Sequence, residues 1–129
     1  MFIAVRYSPS VQNVAQAIGK ALETPAEPIT KPLDKHIDAL FLGAAKSSEV
    51  QQFIASNADK IGKIVVFGPG AKIHPEIRAI AASYRVKTAE MPFTWPAPFL
   101  FLNKDRPNAA DLEAAADFAK KQIKQLSMT

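Results

Sequence analysis

The chain has 129 residues, 48% of them hydrophobic and 22% charged, which is the composition of a globular protein and predicts one domain over residues 1–129. It contains no cysteine, which excludes disulfides, thiolate metal ligands and cysteine nucleophiles. The net charge is +4, but the sixteen Lys and Arg residues are scattered, which argues against a nucleic-acid surface.

The N-terminus enters an apolar segment at once and lacks the features of a signal peptide. No apolar run approaches the roughly 20 residues that span a bilayer. We therefore expect a cytoplasmic protein without membrane contact. Its two histidines, His36 and His74, have no neighbouring ligands at metal spacing, and no Ser-His-Asp set can be assembled. The sequence therefore predicts no catalytic side chain and no metal ligand.

Five β-prone segments alternate along the chain with four segments of helical spacing. The predicted strands cover residues 2–7, 27–32, 36–43, 62–68 and 85–91. The first predicted helix covers residues 9–22, and the others begin near Ser48, Pro75 and Asn108. Ser48 with Gln51 has capping-box spacing, Pro75 suits a first helical position, and Asn108 suits a helix cap. This alternation predicts a parallel sheet with helices on both faces.

The composition of the strands predicts their order in the sheet. The segments FIAV, ALFLG and KIVVFG are continuous apolar runs, which indicates central strands buried on both faces. Prolines in the second strand and charges in the fifth indicate edges. The doubly wound order 2-1-3-4-5 satisfies both conditions, and ligands bind in this architecture beyond the carboxyl ends of the strands. The loops at residues 7–10, 43–48 and 68–74 are therefore the predicted crevice.

Four segments resemble the flavodoxin family. NVAQAIGKAL (13–22) resembles its first helix, IDALFLG (37–43) its third strand, NADKIGKIVVFGPG (57–70) the entry to its fourth strand, and RPNAADLEAAADFAKKQI (106–123) its closing helix. The resemblance implies a flavodoxin-like doubly wound three-layer sandwich with a five-stranded parallel sheet. It also implies non-covalent FMN binding and electron transfer to a redox protein partner.

The family holds the FMN phosphate in a Ser/Thr-x-Thr-Gly-Asn-Thr loop after the first strand. Alignment of the first helix places Ser8, Pro9, Ser10 and Val11 over Thr-Gly-Asn-Thr, in a shorter turn. The resemblance implies that these residues contact the phosphate, and the free amides of a helix N-terminus suit an anion. The alternative is a plain helix start, with Ser8 as N-cap and Pro9 at the first helical position.

The resemblance also implies that the flavin ring lies against the loops after the third and fourth strands. The candidate contacts there are Ala44, Ala45, Lys46, Gly68, Pro69, Gly70 and His74. Lys46 either pairs with an anion or is a solvated lysine, and His74 either contacts a ring or belongs to the helix start. The glycines permit close backbone approach and positive φ. Neither loop contains an aromatic residue to cover a flavin.

The segment MPFTWPAPFLFL at residues 91–102 combines aromatic residues with prolines. Either Phe93, Phe99 and Phe101 seal one end of the core, or Phe93 and Trp95 form a homodimer or partner surface. Two functions follow from the whole sequence. The leading prediction, which the family resemblance favours, is FMN-associated electron transfer with a reduced cofactor site, and the second function is the alternative. The short loops and the basic charge favour a cofactor-free flavodoxin-fold module that binds or assembles with other proteins.

Overall fold

The computed structural model describes residues 1–98 and 105–128. Its strands are β1 (Ile3–Tyr7), β2 (Ala26–Pro28), β3 (Ile37–Gly43), β4 (Ile61–Pro69), β5 (Lys87–Thr88) and β6 (Phe93–Trp95). Its helices are α1 (Gln12–Ala21), α2 (Gln51–Asn57), α3 (Ile73–Ser83) and α4 (Ala109–Ser127). The parallel sheet has the order β2-β1-β3-β4-β5, and β6 also pairs with β4. This order confirms the predicted flavodoxin-like doubly wound fold.

Both faces of the central strands are buried. Helices α1 and α4 pack on the face that carries Val5, Phe41 and Val65, and helices α2 and α3 pack on the face that carries Leu40 and Ile64. Because successive residues of a strand point to opposite faces, a strand covered on both sides is a continuous apolar run. None of the helices in the described residues has the length and apolar character needed to cross a membrane.

Strand β2 is an edge strand, as its prolines predicted, but it is shorter than the predicted 27–32. It pairs with β1 from Ala26, opposite Val5, to Pro28, opposite Tyr7. The Ile29 N–H still donates to the Tyr7 carbonyl over 3.0 Å, but β1 ends at Tyr7 and the chain then turns, with the Lys31 N–H donating to the Pro28 carbonyl over 3.0 Å. The predicted strand therefore ends at Pro28, and the following residues form a connector to β3.

The other edge is divided into two short strands, whereas the sequence predicted one strand over residues 85–91. Strand β5 pairs with the beginning of β4, and β6 pairs with its end, from Phe67 opposite Phe93 to Pro69 opposite Trp95. Between them the N–H of Ala89 donates to the Ile64 carbonyl over 2.8 Å. Strand β6 lies in the segment predicted as a proline-rich loop, and it was missed because it is only three residues long.

The aromatic residues of β6 pack inward. The Phe93 ring lies 5.9 Å from the Trp95 ring and 5.7 Å from the Phe118 ring of α4, measured between centroids. Trp95 is 4% exposed, so its side chain belongs to the core rather than to a contact surface. Phe99 and Phe101, the other residues expected to seal the core, lie outside the described residues.

Three helix starts differ from those predicted. Helix α1 begins at Gln12 after a 3₁₀ turn over Pro9–Val11. Ser8 is at the N-cap position of that turn and Pro9 is its first residue, as predicted, but the Ser8 side chain makes no capping hydrogen bond. A second 3₁₀ turn, Ser47–Glu49, precedes α2, so Ser48 is not its cap. Helix α3 begins at Ile73, before Pro75. In each case a tight turn leads directly from the strand into the helix and shortens the loop.

The start of α4 agrees with the prediction. The Asn108 side chain accepts a hydrogen bond from the Asp111 N–H over 3.1 Å, and the Asp111 carboxylate accepts one from the Asn108 N–H over 2.9 Å. The same carboxylate also accepts from the Arg106 guanidinium. The hydrogen bond from Arg106 is the main reason why the pKa of Asp111 lies below its ordinary value.

The connection from β2 to β3 contains no helix, and a buried arginine of β1 holds it on the sheet. Arg6 is only 7% exposed. Its Nε donates to the Lys31 carbonyl over 2.9 Å, and its Nη2 donates to the Pro32 carbonyl over 3.4 Å. Burial lowers the pKa of Arg6, while the nearby charges of Glu27 and Asp34 raise it. The guanidinium thus supplies the hydrogen bonds that the connector needs where it crosses β1.

We predict that Arg6→Met lowers the free energy of unfolding by about 1–3 kcal/mol, because two carbonyls of the connector lose a charged donor. Urea denaturation followed by circular dichroism measures the change. Lys31→Met is the matched control, because the Lys31 side chain is 58% exposed and its ion pair with Glu27 lies at the surface. Equal stability of Arg6→Met and the wild type would contradict the proposed role of the guanidinium.

We also predict that the stabilising effect of Asp111 depends on pH. Because the pKa of Asp111 is lower in the folded protein than its ordinary value, its contribution is fully present above that ordinary value and disappears as the pH falls through the folded pKa. The stability difference between wild type and Asp111→Asn is therefore constant near neutral pH and shrinks in acid. Urea denaturation across this pH range measures it. Asp117→Asn, at an exposed position, is the control. A stability difference between wild type and Asp111→Asn that persists in acid would contradict the prediction.

Candidate functional site

The carboxyl ends of β1, β3 and β4 lie side by side, as the predicted order requires. Tyr7 is in register with Gly43, and Gly43 with Phe67. The loops that follow these strands therefore share one edge of the sheet. We call residues 7–11, 43–49 and 67–74 the crevice loops. They contain every candidate contact predicted from the sequence.

In the first crevice loop, most backbone groups already have partners within the chain. The Ser8 N–H donates to the Gly43 carbonyl over 2.9 Å, and the Val11 N–H donates to the Ser8 carbonyl over 3.1 Å. Pro9 has no N–H, so among the described residues Ser10 has the one amide of Ser8–Val11 without a backbone acceptor. The Ser8 and Ser10 hydroxyls are hydrogen-bonded to each other at 3.1 Å, and Ser8 has no exposed surface.

In the second crevice loop, a carboxylate of the chain binds the amides. The Glu49 Oε1 accepts hydrogen bonds from the Ala45 N–H over 3.1 Å and from the Lys46 N–H over 2.8 Å. The Ala44 N–H donates to the Phe67 carbonyl over 3.2 Å. Glu49 was not among the predicted site residues. Its position, three residues after Lys46, is the spacing at which an acid receives the amides that begin a helical turn.

In the third crevice loop, the two glycines serve the packing of the chain on itself. A Cβ atom at Gly68 would lie 2.3 Å from the Ala44 carbonyl oxygen, so no larger residue fits there. Gly70 has a φ of 83°, and its N–H donates to the Trp95 carbonyl over 2.8 Å. Both features that the sequence predicted for these glycines are therefore present, and both connect parts of the same chain.

His74 and Lys46 have separate surroundings. The His74 Nε2 is hydrogen-bonded to the Ala89 carbonyl at 3.0 Å, which ties α3 to the break between β5 and β6. The Lys46 side chain is exposed, and no carboxylate among the described residues forms an ion pair with it. The structure thus brings the first two loops together through Ser8 and Gly43, whereas His74 interacts with the edge of the sheet.

The predicted contacts differ in their exposure to a ligand. Four of them are buried: Ser8, Val11, Ala44 and Gly68. Four are partly buried: Ala45, Pro69, Gly70 and His74. Three are exposed: Pro9, Ser10 and Lys46. The polar groups that a ligand could reach in the first two loops are therefore few, and they are centred on Ser10 and Lys46.

An aromatic ring covers the last residue of β3. A Cβ atom at Gly43 would lie 2.1 Å from the Phe67 ring, and Phe67 itself is fully buried. Gly43 is therefore required by the ring that packs on it. Sequence analysis did not single out Phe67, because a phenylalanine in an apolar strand has no distinguishing signal.

No protein-family model matches the sequence, and no curated protein matches it significantly. The class of the protein is defined by its fold, which is a flavodoxin-like α/β sandwich. Because one fold supports many functions, the function has to be argued from the crevice loops and from the surface.

We predict that Gly43→Ala lowers the free energy of unfolding by about 1–3 kcal/mol, because the added methyl group overlaps the Phe67 ring. Chemical denaturation measures the loss. The double variant Gly43→Ala, Phe67→Leu should lose less stability than the sum of the losses in the two single variants, because leucine leaves room for the added methyl group. Ser48→Ala, at an exposed position, is the control. A Gly43→Ala protein as stable as the wild type would show that the contact imposes no constraint.

Proposed function

We propose that this protein is a cofactor-free flavodoxin-fold module that acts by binding other proteins. One observation supports this proposal most strongly. Several backbone amides of the crevice loops already donate to groups of the same chain, among them those of Ser8, Val11, Ala44, Ala45, Lys46 and Gly70. In a nucleotide-binding protein of this architecture, amides in this place bind the ligand.

The described residues do not fit FMN well. A phosphate group needs several donors, and in the first loop only the Ser10 amide and the Ser8–Ser10 hydroxyl pair remain. The neighbouring loop holds the carboxylate of Glu49, whose charge opposes a second anion nearby. A flavin ring would also find no aromatic side chain at residues 44–48 or 70–74. Each of these features weakens the case for a resident flavin.

FMN-associated electron transfer is the second candidate, and one specific observation favours it. The Ser8–Ser10 hydroxyl pair and the Ser10 amide lie at the carboxyl end of β1, where the flavodoxin family holds the FMN phosphate. When bound, FMN supplies the redox chemistry itself. For this function the chain would need Ser10 as its main phosphate contact and a redox protein as its partner.

The homodimer expected through Phe93 and Trp95 stays a prediction. Since Trp95 is buried, a contact in this region would use the partly buried Phe93 and exposed neighbours such as Thr94 and Pro96. Sedimentation of the wild-type protein tests it directly. Substitution of Trp95 would not, because it would change the core.

We predict that titration with FMN gives no saturable quenching of flavin fluorescence, which corresponds to a Kd weaker than about 100 µM. The reason is the shortage of free donors in the first crevice loop, where the family holds the phosphate. A flavodoxin that binds FMN serves as the positive reference in the same assay. Saturable binding that Ser10→Ala removes and Ser48→Ala leaves intact would overturn the proposal in favour of the second candidate.

A further inference from the structure

The sheet has an open edge at β5. Among the described residues no strand lies beyond β5, which pairs on its inner side with Lys63 and Ile64 of β4. The Ala89 N–H also points inward, to the Ile64 carbonyl. Because backbone groups alternate in direction along a strand, the Thr88 N–H points outward. Because β5 has only two residues, the Thr88 N–H is the outward donor on which another extended chain can pair.

A basic groove of about 400 Å³ flanks this edge beside α3. Three cations line it, Lys63, Arg78 and Lys87, and Glu90 is the acid in its wall. None of the three cations forms an ion pair with a carboxylate in the part of the chain that the structure describes. The groove therefore carries a local excess of positive charge that is available to a partner.

A second groove of about 470 Å³ flanks the same edge beside α4 and shares Lys63 and Glu90 with the first. Its wall includes two methionines, Met91 and Met128, which are 61% and 78% exposed. Methionine side chains are flexible and apolar, and they adapt to the shape of an apolar partner. The open edge thus lies between two grooves that both contain cationic and apolar residues.

We propose that the β5 edge binds an extended acidic segment of a partner protein. Paired with β5, such a segment would direct its side chains alternately to the two grooves. Acidic residues on the α4 face would meet Lys63 and Lys87, which are in register there, and the apolar residues between them would meet Ala82, Val86 and the stem of Arg78 on the α3 face. The proposal rests on the proposed function only in taking the chain to act through protein contacts.

The charges also select among partners. Two copies of this edge would bring their own lysines and arginines together, so the charge opposes self-pairing while it attracts an acidic chain. A nucleic acid would satisfy the cations but has no use for the apolar residues of the grooves or for an outward N–H. The two grooves together therefore favour an acidic polypeptide.

The test uses the full chain and a fluorescent peptide of about eight residues in which Glu and Val alternate. A second peptide has the same composition with Glu and Val in separate blocks, and a single-stranded oligonucleotide of similar charge is the third probe. We expect saturable anisotropy with the alternating peptide, and weaker binding of the other two. We also expect hydrogen exchange of the Thr88 amide to slow in the complex.

The double variant Arg78→Glu, Lys87→Glu should weaken peptide binding about tenfold or more. The double variant Lys20→Glu, Lys120→Glu makes the same change in net charge at exposed positions elsewhere and should bind nearly as the wild type. Circular dichroism establishes that both variants are folded.

Four outcomes would overturn the proposal: no binding of the alternating peptide, equal binding of the block peptide, an equal loss in the two double variants, or tighter binding of the oligonucleotide. The peptide measurements contain no FMN. A negative peptide result would therefore refute the β5-edge proposal without bearing on whether the protein is free of a cofactor. A protein that bound both FMN and the alternating peptide would refute the cofactor-free proposal alone.

Discussion

Every backbone amide at the end of a buried strand needs a hydrogen-bond partner, and this requirement shapes the crevice loops. Doubly wound proteins that bind nucleotides leave such amides to the ligand. In this chain the Gly43 carbonyl, the Glu49 carboxylate and the Trp95 carbonyl accept such amides. The short loops and the acceptors within the chain thus both satisfy the hydrogen-bonding requirement of these amides.

The opposite constraint acts on the β2–β3 connection, where carbonyl groups need donors. A parallel crossover usually contains a helix, which satisfies its own backbone. Here the connector lies on β1 without one, and the buried guanidinium of Arg6 donates to it. One charged side chain in a central strand therefore takes over part of what a helix would do. This explains why an arginine is found in an otherwise apolar strand.

The sequence was sufficient for the strand order because burial on both faces leaves a local mark, a continuous apolar run, and because prolines mark an edge. It was insufficient for β6, whose pairing depends on β4 rather than on its own three residues. It also predicted that the crevice loops lie together at the carboxyl ends of adjacent strands, as they do. The sequence could not predict whether the amides there are free, because acceptors such as the Trp95 carbonyl are distant in sequence from donors such as Gly70. The sequence predicted Ser48 as the capping residue before α2, but in the structure Glu49 accepts the loop amides and Ser48 lies within a 3₁₀ turn.

The carboxylate of Glu49 has a consequence for how the protein behaves in a cell. A loop that a dissolved cofactor orders gains stability only in proportion to the logarithm of that cofactor's concentration. A loop that a side chain of its own helix orders has its ligand covalently attached, at an effective concentration that never varies. The second crevice loop should therefore keep the same order during starvation, dilution or rapid synthesis, when solutes are scarce.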